Sequence, residues 1–144
     1  MSDSEMQIEK YQWWRWPFVL IVPPIVAFAA AFVFHWVQWF SMKMFGGYSE
    51  DGWMVIYIAP MFTAIMFGWS YAWIAALIAP SKKFPASVVM SILLVALGAF
   101  ASAVAIVGNE YPAYQAVSMS IVTLAAVCGL VGALVQIRKN GGTL

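Results

Sequence analysis

Four stretches of the chain, about Pro17 to Phe40, Trp53 to Ile78, Phe84 to Val107 and Ala113 to Ile137, contain no Asp, Glu, Lys or Arg. All thirteen charged side chains (seven basic, six acidic) fall between or beyond them. Each stretch is 24 to 26 residues long, enough to cross a hydrocarbon layer of about 30 Å at 1.5 Å per residue with some tilt. The apolar runs are continuous rather than alternating with period two, which excludes a lipid-facing barrel. The pattern therefore predicts an all-α membrane protein, a single domain over residues 1–144 with four transmembrane helices.

The connecting segments predict an orientation. Lys10 and Arg15 precede the first span, Lys82 and Lys83 lie between the second and third, and Arg138 and Lys139 follow the fourth, whereas only Lys43 falls on the opposite side. Basic residues collect on the cytoplasmic face, so both termini are expected inside. The first span is too long for the apolar region of a cleaved signal, because Phe32, Val33 and Phe34 continue the run past the small residues at Ala29 to Ala31.

Within the spans the side chains are distributed unevenly. Tyr11, Trp13, Trp14 and Trp16 gather beside Arg15, and Trp36, Trp39 and Phe40 lie at the other end of the first span, two belts suited to the headgroup layers. Pro23, Pro24 and Pro60 fall inside helices, where each removes a backbone donor, so kinks are expected at all three. Phe62, Met66, Trp69 and Trp73 share one face of the second helix. Pro80 and Pro85 bracket Ser81 to Phe84 as a tight turn that sets helices two and three antiparallel. Ser87, Ser91, Gly98, Ser102 and Ala105 form a stripe on the third helix, and Ser118, Ala125, Gly129, Gly132 and Gln136 one on the fourth. Small residues let helix backbones approach closely in lipid, so helices three and four are expected to pair through these stripes across the short loop from Gly108 to Pro112.

Composition narrows the function classes. The chain is 64% hydrophobic and 9% charged with a mean hydropathy of +0.85, which leaves no length for a soluble catalytic domain. A net charge of +1 provides no basic surface for nucleic acid. Cys128 is the lone cysteine and reads as a packing residue. Glu50, Asp51, Asn109 and Glu110 read as solvated loop groups, since their spacing matches no metal loop, and Gly46, Gly47 and Gly52 mark a loop rather than a phosphate cradle.

His35 is the one strongly ionisable side chain inside a span, and such residues are candidates for function. A proton relay, a haem ligand or a hydrogen-bond partner for a quinone are the roles its chemistry allows, with Tyr57, Ser102 and Ser118 at similar depth and Gln38 one turn away. The plainer expectation is a neutral imidazole bonded to a hydroxyl or to interfacial water. No catalytic residues, metal or cofactor are expected. The leading expectation is a small non-enzymatic subunit of a membrane complex or homo-oligomer, with other membrane proteins or itself as partner, in a bacterial inner membrane. A small transporter or channel for a neutral or lipid-like molecule comes second, and an electron-transfer subunit with a quinone or haem near His35 third.

Overall fold

The computed structural model describes residues 15–46, 48–50, 52–79, 83–108 and 113–140. Tyr11, Trp13 and Trp14, Pro80 to Lys82, and Asn109 to Pro112 lie outside the described residues, as do Gly47 and Asp51. Four helices long and apolar enough to cross a membrane are present, with no strand among the described residues. They are α1 (Trp16–Met44), α2 (Ala59–Ile78, preceded by a π-helical turn at Met54–Ile58), α3 (Lys83–Val107) and α4 (Ala113–Lys139). The chain is a multi-pass membrane protein.

Helix α1 outlasts the expected span by a turn at its C-terminal end. Lys43, in that last turn, stands 4.6 Å from the Trp39 ring and 5.3 Å from the Tyr48 ring, a cation held over aromatic faces at the helix's negative end. Gly46 follows at φ 74°, the left-handed conformation that ends helices and favours glycine. The helix runs unbroken through Pro23 and Pro24. Pro23 belongs to a buried row with Val19, Ala27 and Ala31, four residues apart and hence on one face.

Helix α2 is the spine. It packs most extensively against α4 and α1, and α3 lies against both α2 and α4. The reason is a row of small residues, Ala64, Gly68, Ala72 and Ala76, all buried and spaced by four. A matching row on α4, Ala125, Gly129 and Ala133, is buried as well. At Gly68 a Cβ would collide with the carbonyl of Ala126, and at Gly129 with the carbonyl of Ile65. Each glycine thus receives the other helix's backbone, the close approach that van der Waals packing requires in lipid.

The tightest pairing is therefore α2 with α4, whereas the stripes on α3 and α4 had suggested α3 with α4. A helical projection tells which residues share a face but not which neighbour the face meets. Gly132 likewise faces α2, where a Cβ would stand 2.9 Å from Trp69 Cζ3. The α3 stripe divides between two partners. Ser87 donates from its Oγ to the Ala72 carbonyl of α2 at 2.8 Å, a bond worth about 0.6 kcal/mol in membrane helices. Gly98 and Ser102 meet α4, the former lying where a Cβ would be 3.5 Å from Thr123 Cγ2, the latter 3.0 Å from Thr123 Oγ1. Ser91 is buried with its hydroxyl unpaired, and Gln136 is exposed. The Ala105 side chain lies outside what the structure describes.

Candidate intramembrane cleft

Because α1 packs chiefly on α2, it does not close against α3 and α4, and a cavity of about 520 Å³ opens among the four helices. Its walls are almost wholly apolar, with Phe28, Phe67, Leu94 and Leu130 at its deep end. Phe28 and Phe67 meet edge to face at 5.2 Å between ring centroids, so an aromatic pair from α1 and α2 forms part of that wall. Toward the end of the bundle opposite the termini, the distal end, the lining changes to His35, Pro60, Thr63, Gly98 and Thr123.

His35 itself is exposed on α1 at the margin of this cavity. It shares the lining with Thr123, which bonds Ser102, one of the depth neighbours expected for it. Thr63 Oγ1 lies 3.3 Å from Gln38 Oε1, one turn further along α1, and 2.9 Å from the Ala59 carbonyl. Both partners are acceptors, so the one Thr63 proton is divided between them. These contacts tie the distal parts of α1 and α2 together beside the cavity.

A second cavity, of about 640 Å³, lies between the distal halves of α3 and α4 and includes Ser102, Ser118 and Thr123 in its lining. Gly98, Val122 and Thr123 line both cavities, so the two adjoin as one cleft. Along α4 it reaches from Leu130 to Ser118, about 18 Å, and along α3 from Leu94 to Gly108, about 21 Å. That length is about two thirds of a hydrocarbon core. The deep part presents aromatic and aliphatic carbon and the distal part presents hydroxyls, a gradient parallel to the helices.

The π-helical turn before α2 contributes to the distal wall. Pro60 has no N–H for the carbonyl four residues back, which is Ile56. Ser118 Oγ from α4 donates to that same carbonyl at 3.4 Å. The helix just before Pro60 is thus locally widened, a form that appears where the ladder is interrupted, with a hydroxyl from the neighbouring helix beside the freed oxygen.

No family model, curated protein or solved structure matches this chain. The site is therefore read from its own residues. Among the described residues no three His, Cys, Asp or Glu side chains come together as metal ligands. Thr63, Thr123 and Gly68 escaped notice in the sequence, although the Ala64-Gly68-Ala72-Ala76 spacing is visible there once the aromatic residues beside it are set aside.

Proposed function

We propose that this protein is a small non-enzymatic membrane protein that holds a neutral, lipid-like molecule in the cleft between its helices. One observation carries the reading: a cleft of the size that ligand sites have, about 300 to 1,000 Å³ per cavity, whose polarity rises from carbon at its deep end to hydroxyls at its distal end. An amphiphile aligned with the bilayer has that same gradient. The prolines at 23, 24 and 60 are then elements that shape the cleft's walls.

The test is photolabelling of the purified protein in lipid nanodiscs with a diazirine-bearing neutral lipid. Label is expected at Leu94, Gly98 and Val122, and a Gly98→Leu substitution, which places a side chain at the junction of the two cavities, is expected to abolish it. Uniform labelling over all lipid-facing surfaces, unchanged by Gly98→Leu, would overturn the reading.

A subunit or homo-oligomer is the second reading, favoured by α1, whose Phe32, Trp36 and Val37 are exposed while its buried row meets α2. A monomer that co-purifies with nothing after gentle extraction would remove it. The expected setting is a bacterial inner membrane with both termini in the cytoplasm, supported by the six basic residues on the terminal side. Tags on the two termini that report opposite faces would refute this orientation.

A further inference from the structure

The hydroxyls at the distal end of the cleft can be assigned one proton at a time. Thr123 Oγ1 is 2.9 Å from the Met119 carbonyl, one turn back on its own helix, and 3.0 Å from Ser102 Oγ. A hydroxyl has one proton and two lone pairs. If Thr123 directed its proton at Ser102, the bond to Met119 would be lost and the Ser102 proton would gain nothing from the pair. With Thr123 donating to Met119 and Ser102 donating to Thr123, both bonds form, and in hydrocarbon an unmet donor is costly. Ser118 directs its proton at the Ile56 carbonyl. The backbone N–H of Gly108, at the distal limit of the cleft, is bonded to the Val104 carbonyl at 2.9 Å.

Every one of these protons points into protein, while each hydroxyl oxygen retains at least one lone pair. Along α3 and α4 the distal part of the cleft is therefore an array of acceptors, while His35, at the α1 margin, carries an imidazole N–H. Resting on the function proposed above, we infer that the bound lipid has a neutral hydroxyl head group, whose O–H donates to the oxygens of Thr123 and Ser102. A ketone, ester or ether could be met at these oxygens only by turning the Ser102 proton away from Thr123, exchanging one bond for another, whereas a hydroxyl adds a bond. An ammonium would bring donors, but three neutral oxygens supply no charge to offset its desolvation.

The test uses farnesol and farnesyl methyl ether, which share the chain and the oxygen and differ in the proton, titrated against the protein in nanodiscs of defined phospholipid. Farnesol is expected to bind about 5- to 10-fold more tightly, the difference that one net hydrogen bond makes. The double substitution Ser102→Ala and Thr123→Val removes both acceptors with little change of shape, so the ratio is expected to fall to about one, with circular dichroism showing an unchanged helix content. Equal binding of the two probes by the native protein would overturn the head-group inference and leave the cleft reading standing. A preference that survives the loss of both oxygens would overturn it too, since the donor would then be meeting some other group. Failure of both probes to bind would remove the cleft reading itself.

Discussion

Substituting Gly68 by Ala tests the fold where the backbones of α2 and α4 meet. The added methyl would collide with the Ala126 carbonyl, and the next atoms, Ala126 C and Leu130 N, stand at 3.1 and 3.2 Å. All three are backbone, so no side chain can rotate away and α2 and α4 must separate. Overpacking of this kind costs about 1 to 3 kcal/mol, and a radial gap of 0.5 to 1 Å along the interface forfeits about a quarter to a half of each contact's attraction. Alanine's better helix propensity returns up to about 1 kcal/mol, leaving a net loss of about 1 kcal/mol at the middle of the overpacking range. Gly98→Ala is the control, because its methyl would meet only Thr123 Cγ2 at 3.5 Å, an ordinary contact, and the propensity gain should make it neutral or stabilising. Reversible unfolding in mixed micelles, followed by helicity against the mole fraction of denaturing detergent, measures both. A Gly68→Ala protein as stable as the native one, or shifted in the same direction as Gly98→Ala, would refute the α2–α4 backbone contact.

Two serines one turn apart on α3 should behave oppositely. Ser87→Ala loses the bond to Ala72 and is expected to cost about 0.6 kcal/mol, whereas Ser91→Ala removes a buried, unpaired hydroxyl and should be neutral or stabilising. Equal losses in the same micelle titration would contradict the assignment. Pro60→Ala supplies the N–H absent opposite the Ile56 carbonyl, so amide exchange across Met54–Ile58 should slow as the turn tightens toward α-helix. Exchange that is unchanged or faster would show that the proline is not what widens the turn.

The spans were legible because a charge in hydrocarbon is so costly that its absence over two dozen residues has few other causes. The ends were less so. Helix α1 continues past Phe40 to Met44, since a helix persists into the headgroup layer where no hydropathy signal marks it. The small-residue stripe on α4 includes Gly129 and Gly132, but it did not tell that α2 is the helix that meets them. That information sits on α2, whose Gly68 is flanked by Phe67 and Trp69, and bulky neighbours on the opposite faces obscure a small-residue row when residues are weighed singly. The cleft was not legible at all. It arises from where α1 fails to close, a property of helix placement, and its hydroxyls come from three segments distant in the chain. His35 was identified by its chemistry alone, and its place at the cavity margin required coordinates.

At Gly68 and Gly129 the second helix meets the fourth backbone to backbone, which has a consequence for assembly during synthesis. When α1 and α2 enter the bilayer they can dock as a hairpin, but the notch at Gly68 then faces lipid, because the backbone it receives is that of Ala126 to Leu130 on α4. Only once the ribosome has delivered Gly129 can the notch be occupied, so the bundle stays loose until near the end of translation. A chain arrested after α3 would be inserted yet unlocked, with the backbone groove of α2 open to whatever helix or membrane protease meets it first.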